Sequence, residues 1–482
     1  MAFYCCYENT RFSSGAGAAA VCLQKLTLKK EAQNVEPIEK KIAEAVKEHG
    51  GRAYYVGGCV RDRLLRVSGS DIDIEVHGIC KEELLEILNT FGEPITTGAQ
   101  FGVFGLTGAQ IDICLPRREF ATGRGHRDFE ILVDPFLDVA EAARRRDFTV
   151  NAIMQDVLTG EIADPYHGRE DLSKGILRHI DDAHFAEDPL RVFRAAQFSS
   201  RFELQIDPTT MQLCRSMDVS ALLKSRVEDE LKKGLLKSKK PSLFFENLRK
   251  MEQLSVWFPE LECLIGLPQD PLHHPEGDVW THTMQVLDRA AAYLDQLSDP
   301  YAFLLLALTH DFGKAVTTQT INGRIHAYGH ETAGLPLAEA FLRRITGSSR
   351  IVEYVLNMLP LHMKPNVAAA AEAKLKTTNQ MFDSAAAPLD LVYFALSDQP
   401  AAACENRQSA DFLFSRFRQY QQTMEKPYVS GKDLIAAGIE PGADFTEILA
   451  YAHKLRLAGI EKEDALRQTV AFARKTRKQH PL

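Results

Sequence analysis

The stretch "GGCVRDRLLRVSGSDIDIEV", residues 57–76, sets two glycines ahead of a charged segment and then two aspartates two residues apart among isoleucines and valine. β-branched residues favour a strand, and side chains alternate along one, so Asp71 and Asp73 project from the same face and can approach one cation together. Aspartate is a poor strand former and neighbouring carboxylates repel. Bound Mg2+ offsets that cost, because this hard ion takes one or two carboxylates plus phosphate oxygens. Asp112 in "QIDIC" is a third strand-borne acid, and it reaches the same place if its strand lies beside the first. Three acids around two ions would polarise an attacking hydroxyl and stabilise a leaving phosphate. A lone D-x-D pair also reads as a strand end meeting solvent. Upstream, Gly57 and Gly58 let a phosphate approach the backbone, a helix starting near Val60 aims unpaired N–H groups at it, and Arg61 can clamp a triphosphate.

A second constellation lies further on. Seven of the fifteen histidines fall between residues 273 and 362. His310 and Asp311 follow the apolar run "FLLLALT", which predicts a buried helix delivering polar side chains into a pocket. His282 precedes them on another helix, and His330, His362 and Asp398 follow. Imidazoles and carboxylates carried by several helices suit a transition-metal cage. A single His-Asp pair alone would read as a capped helix end.

The elements that must position these residues divide the chain. Strand-like runs dominate to about residue 165 ("RAYYVGG", "DIDIEVHG", "FGVFGLTG", "AQIDICLP", "FTVNAIMQDV"), and helical periodicity follows, as in "DPLRVFRAAQFSSRF" and "RVEDELKKGLL". The class is α+β: a head with a small mixed or antiparallel sheet, then a mostly helical remainder. Residues 265–278 read as a Pro/Gly-rich linker, the Ala-rich 366–388 as a loop between helices, and a helix starts at Gly431–Asp433. The expected divisions are a loose extension 1–34, a head 35–180, a helical neck 181–265, a histidine-rich domain 266–425 and a helical tail 426–482.

With 482 residues, 45% hydrophobic and 25% charged, the composition is that of a soluble globular protein of about three or four ordinary domains. No apolar stretch approaches the roughly 20 residues of a membrane span, and residues 1–34 show no basic start followed by a sustained apolar segment. No membrane partner is expected. Nine cysteines without metal-type spacing fit reduced thiols and a cytoplasmic location. The net charge of −8 rules out a coat of positive potential but leaves room for local basic surfaces at Arg144–Arg146, Lys232–Lys240 and Arg474–Lys478. Each of these taken singly also reads as a solvated helix face.

In order and spacing, "GGCVRD", "DIDIEV", "RRDFTVNAI" (145–153), "DPYHG" (164–168) and "EDPLRVFRA" (187–195) resemble the class II tRNA nucleotidyltransferase and bacterial poly(A) polymerase family. The resemblance spans about residues 50–265 and implies magnesium on Asp71 and Asp73, the triphosphate on Gly58 and Arg61, and the nucleotide on Arg146. Asp62 and Asp147, in the same motifs, join that set. Asp188 and Arg191 would present hydrogen-bonding edges to the incoming base, since Arg and Asp together offer fixed donors and acceptors, and Arg194 would suit phosphate. At 197, where many relatives carry arginine, this chain has Gln197. In this family a flexible loop at the position of 120–135 helps switch from CTP to ATP.

The order H…HD…H…H…D resembles the HD phosphohydrolase domain. It implies His282, His310, Asp311 and Asp398 as core ligands of a second divalent metal, His330 and His362 as a further metal position, and Lys314 on phosphate. Related tRNA nucleotidyltransferases carry such a domain as a phosphatase and 2',3'-cyclic phosphodiesterase. The leading expectation is therefore addition of C, C and A to tRNA from CTP and ATP, with tRNA held through Lys237, Lys239 and Lys240, and no DNA partner. Poly(A) polymerase is the nearest rival, opposed by the HD series and by "GAQF" (98–101) where those enzymes tend toward a more basic stretch. CC-only or A-only addition, an HD hydrolase with a decayed head, and a non-catalytic RNA-binding protein complete the alternatives.

Overall fold

The computed structural model describes residues 37–67, 71–98, 100, 102–121, 129–399, 407–426 and 428–479. The extension 1–34, residues 122–128 of the basic loop, and two positions of "GAQF", Ala99 and Phe101, lie outside them. The chain forms two compact units, one ending at Glu170 and one from Asp171 to Leu482.

In the first unit, strands β1 (Arg52–Val56), β2 (Ile72–His77), β3 (Pro94–Ile95), β4 (Val103–Leu106) and β5 (Ile111–Cys114) share a sheet with two later strands. A separate antiparallel ribbon joins β6 (Arg117–Ala121) to β7 (Phe129–Val133), and β8 (Met154–Asp156) and β9 (Ile162–Ala163) complete the main sheet. Its seven strands run in the order β3-β4-β5-β2-β1-β8-β9, every neighbour antiparallel except the central pair β2 and β5. The sheet is mixed for that reason.

Alternation divides its two faces. Ile74, Val76 and Ile113 are fully buried in one cluster with Ile42, Val46, Leu84 and Leu88 from the amphipathic helices Ile38–Glu48 and Lys81–Asn89. Burying each such side chain is worth about 1.5–3 kcal/mol, so a register slip that moved them to the other face would be strongly opposed. Asp73, Glu75 and Asp112, at the intervening positions, are thereby directed to the opposite face. "FTVNAIMQDV" forms a strand only at Met154–Asp156; Thr149–Asn151 is a 3-10 turn.

The second unit is helical. Helix Leu190–Phe202 packs against Lys224–Leu236 and Ser242–Lys250, and Phe193 meets Trp257 and Phe258 edge to face. Helix Pro300–Thr309 is buried at every residue from Tyr301 to Thr309, as its apolar circumference requires, and packs against Val279–Ala290, Ser349–Met358 and Pro388–Asp398. The expected loop 366–388 is instead largely helical: alanine's strong helix propensity suits Lys364–Ala370, and Leu375–Asp383, which contains no alanine, buries one face through Thr378, Asn379, Met381 and Phe382. The tail helices Gly431–Ala436, Phe445–Leu457 and Lys462–Gln479 share a small core of Leu434, Ile448, Ala452 and Ala465, and a Ser430–Asp433 capping box starts the first. Among the described residues, no helix is long and apolar enough to cross a membrane.

Candidate active sites

In the first unit, the parallel pairing of β2 with β5 sets Asp73 directly opposite Asp112, and Asp71 lies one residue before β2. The three carboxylates are brought together at one end of the central strand pair. None of them accepts a hydrogen bond or enters an ion pair among the described residues. Asp73 is half-buried, and its carboxyl is pushed up by burial and by the charges of Asp112 and Asp71, against the pull of Arg146. Unpartnered acids gathered at one end of a strand pair, with the Asp73 carboxyl pushed up by burial and by its neighbours, are a donor set suited to a hard divalent cation.

Gly57 turns with φ of +68° into the short helix Gly58–Leu64, which starts two residues earlier than expected. A Cβ on Gly57 would sit 3.2 Å from Arg146 Nη1 and 3.8 Å from Asp73 Oδ2, so the turn, the guanidinium and the acid adjoin one another. Arg61 is only 3% exposed: its Nε and Nη2 donate to Asp62 Oδ1 at 2.8 and 2.6 Å, and its Nη1 to Asn151 Oδ1 at 2.5 Å. Asn151 in turn donates to Asp147 Oδ1 at 2.9 Å. The "GGCVRD" and "RRDFTVN" motifs are thus laced together by Asp62, Asp147 and Asn151.

Arg145 and Arg146 both donate to Glu75 Oε2 at 3.2 Å, and His77 Nε2 lies 3.2 Å from Glu75 Oε1. Glu75 is fully buried. Burial opposes its ionisation, but the charges of Arg146 and Arg145 and the His77 hydrogen bond prevail and hold it down at about 2. In the "DPYHG" motif, a Cβ on Gly168 would lie 2.1 Å from the Thr149 carbonyl, so only glycine lets the chain pass the "RRDFTVN" turn this closely.

In the second unit, Asp188 lies in the turn before helix Leu190–Phe202 rather than on it, accepting from Leu190 N at 3.1 Å. Arg226 holds its carboxylate with two parallel bonds, Nη1 to Oδ1 at 3.1 Å and Nη2 to Oδ2 at 2.8 Å. Arg191 Nη1 donates to the His184 carbonyl at 2.5 Å, and Arg194 Nη1 is 3.7 Å from Glu230 Oε1. Gln197 is buried, and its Nε2 has no hydrogen-bond partner among the described residues. Lys237, Lys239 and Lys240 are exposed.

The histidine series converges in the same unit. His310 Nδ1 faces the Ala307 carbonyl at 2.8 Å, His330 Nδ1 that of Ala327 at 2.8 Å, and His362 Nδ1 that of Leu359 at 2.7 Å. Facing a carbonyl, Nδ1 must carry the proton, so each Nε2 presents its lone pair inward. His282 sits within a helix, where no such carbonyl is open to it, and uses Glu276 Oε1 at 2.7 Å instead.

The inward atoms form two groups that share Asp311. His282 Nε2 is 3.1 Å from Asp398 Oδ1 and 3.7 Å from Asp311 Oδ2, and His310 Nε2 is 3.2 Å from Asp311 Oδ2. On the other side His330 Nε2 lies 3.4 Å from Asp311 Oδ1 and 3.3 Å from His362 Nε2. His310 Nε2 and Asp311 Oδ2 are buried without a hydrogen-bond partner, although Lys314 Nζ forms an ion pair with Asp311 at 2.7 Å. Opposed lone pairs in a buried pocket fit a divalent cation between them.

Burial and the neighbouring His310 push His362 down to about 4. For His282, burial is outweighed by the bonds to Asp398 and Glu276, which raise it to about 9. Asp311 and Asp398 stay ionised well below the usual range despite burial, Asp311 through the charges of His310 and Lys314, and Asp398 through its His282 hydrogen bond. In "HDFGK", a Cβ on Gly313 would fall 1.9 Å from the His330 carbonyl, so glycine lets the His-Asp turn meet the His330 helix.

Residues 53–178 match the model of the poly A polymerase head domain. A multifunctional CCA protein of Chromobacterium violaceum is 40% identical over 308 residues, covering 63% of this chain and 72% of its own length. Another from Paraburkholderia phymatum is 35% identical over 421 residues, 85% of this chain and 97% of that protein. The chain belongs to the multifunctional CCA protein family. Among solved structures, the Thermotoga maritima CCA-adding enzyme complexed with tRNA matches with a TM-score of 0.62 at 19% identity, covering 92% of this chain and 97% of that one. The Bacillus stearothermophilus CCA-adding enzyme in complex with CTP matches at 0.63 and 22% identity, over 92% and 100%. This CCA-family chain therefore has the nucleotidyltransferase fold, and nucleotidyltransferases of this family use divalent metal.

Four residues of these sites escape a reading of the sequence: Glu75, Asn151, Arg226 and Glu276. Glu75 had a signal, since Asp71, Asp73 and Glu75 alternate on one strand face. Asn151 meets Arg61 and Arg226 meets Asp188 only through contacts distant in sequence, and Glu276 reaches His282 from an aperiodic segment.

Proposed function

We infer that this chain builds the CCA end of tRNA, transferring two cytidylates and one adenylate from CTP and ATP without a nucleic-acid template and releasing pyrophosphate. The observation that carries the reading is the set of partnerless carboxylates, with Asp73 and Asp112 in register, beside Gly57 and Arg146 in a chain of this family. Asp71, Asp73 and Asp112 would hold Mg2+, which would supply Lewis-acid activation of the attacking 3' hydroxyl and charge stabilisation for the departing pyrophosphate. Gly57 and Gly58 leave space for the triphosphate, and Arg146, anchored by Glu75, contacts it. Arg61 acts through Asp62, Asn151 and Asp147 by fixing the glycine turn. Asp188 and Arg191 read the Watson–Crick edge of the incoming base, with Arg226 and the His184 carbonyl setting their orientation. Arg194 serves the nucleotide phosphate, and Lys237, Lys239 and Lys240 meet the tRNA backbone.

The second centre is a metal-dependent phosphohydrolase acting on 2',3'-cyclic phosphate ends of RNA. His282, His310 and Asp311, with Asp398 beside His282, would hold one divalent transition metal, and Asp311 with His330 and His362 would hold a second. Such ions supply a hydroxide nucleophile near neutral pH. A water oxygen bonds to phosphorus, one ring P–O bond breaks, and the released ribose oxygen takes up a proton. Lys314, beside Asp311, offers charge to the phosphate. The test is incubation of the full chain with Ni2+ and a 2',3'-cyclic nucleotide; an intact ring under all divalent metals contradicts the hydrolase half of this reading.

A further inference from the structure

The hairpin between Lys314 and His330 has no role in the chemistry above. Strands Gln319–Ile321 and Arg324–His326 pair through an Asn322–Gly323 turn in which both residues have positive φ, +50° and +76°, the tight turn that matches strand twist. Nearly all of this hairpin is exposed, yet its exit is held firmly. The rings of His326 and Tyr328 stack at 4.9 Å and 12°, leaving Tyr328 69% exposed. The intervening residue, Ala327, gives its carbonyl to His330 Nδ1 at 2.8 Å. The peptide next to Tyr328 is therefore separated from the inward-facing Nε2 of His330 by one imidazole ring.

An exposed aromatic ring stacked on a neighbouring imidazole, two residues before His330, is organised to receive a second flat ring. Arg324, two residues before His326 on the same strand and exposed, adds a cation on that side of the hairpin. We propose that Tyr328, backed by His326, is a stacking platform for the nucleobase of a ribonucleotide or RNA 3' end whose terminal phosphate lies at the histidine–aspartate centre. The proposal rests on the hydrolase reading above. It gives that centre a nucleotide substrate class with little base preference, because every base has a π face.

The test uses the Ni2+-loaded full chain and two five-membered cyclic phosphates, 2',3'-cyclic AMP and glycerol 1,2-cyclic phosphate, the second without a base. Tyr328→Ala is expected to raise KM for 2',3'-cyclic AMP about tenfold with kcat within about twofold, and to leave hydrolysis of the glycerol ring unchanged. Tyr328→Phe should behave as the native protein. Calorimetric binding of 3'-AMP should weaken by a similar factor in Tyr328→Ala and not in Tyr328→Phe. Unchanged KM and 3'-AMP affinity, or an equal loss on both substrates, overturns the platform while leaving the hydrolase reading intact. A native protein that opens neither ring overturns the hydrolase reading and the platform with it.

Discussion

Glu75 is a fully buried carboxylate on which Arg145, Arg146 and His77 converge, and replacing it with glutamine tests whether it anchors the nucleotide site. Its carboxyl titrates at about 2 against an ordinary 4.5. At 1.36 kcal/mol per pH unit the difference corresponds to about 3 kcal/mol of stability, in line with the roughly 3–5 kcal/mol lost when one partner of a buried ion pair is removed. Because the folded pKa lies below the unfolded one, this contribution is whole above about pH 4.5 and is lost progressively as pH falls toward 2. For a unit of this size, Glu75→Gln should lower the melting temperature by about 10 °C at neutral pH. Scanning calorimetry identifies the head transition as the one that Mg2+ and CTP shift upward. The gap between native and variant should narrow as pH is lowered from 4.5 to about 3.5, since the unfolded chain then takes up a proton on Glu75 while the folded protein keeps the carboxylate ionised. With Arg146 released, KM for CTP should rise about tenfold, with a smaller change in kcat. A variant melting within about 2 °C of native, with unaltered KM, would refute the assignment of Glu75 as the anchor.

Asp73→Asn should abolish nucleotide transfer and spare hydrolysis of a 2',3'-cyclic nucleotide, and His310→Ala should do the reverse; loss of both activities in either variant contradicts two separate centres. Arg226→Ala removes the two-point hold on Asp188. At about 1 kcal/mol for a partly exposed pair, it should raise KM for CTP and ATP about fivefold and increase misincorporation, as read by single-nucleotide extension. Glu276→Gln weakens the brace on His282 Nδ1, and metal affinity measured by competition with a chelating dye should fall by about 10–100-fold.

The chemistry-bearing residues were legible where local periodicity alone fixes their placement. Strand alternation places Asp73 on the open face, and the apolar run before His310 predicts the buried helix that carries it. Asp112 needed one further fact, the parallel pairing of β5 with β2, which is a tertiary choice. The spacing of Asp188 and Arg191 gives no sign that Pro189 caps the helix carrying Arg191 and leaves Asp188 in the turn before it. The stretch 265–278 reads as a linker by composition, yet its Glu276 braces His282 and its Gln269 accepts from Lys314 at 2.7 Å. Polar residues in an aperiodic segment give no directional signal, so their roles emerge only once the chain is folded. Within 366–388, Lys364–Ala370 carries helix propensity in its alanines without a full apolar stripe, while Leu375–Asp383 buries a short face of Thr378, Asn379, Met381 and Phe382, two of them polar, which gives a weak periodic signal.

The most direct test of the central claim is extension of tRNA transcripts ending before CCA, after C, or after CC, with Mg2+ and with CTP and ATP supplied separately and together. Two cytidylates followed by a single adenylate, with no further growth, is the predicted result. A long adenylate tail, or cytidylate addition that stops without the terminal A when both nucleotides are present, would contradict it.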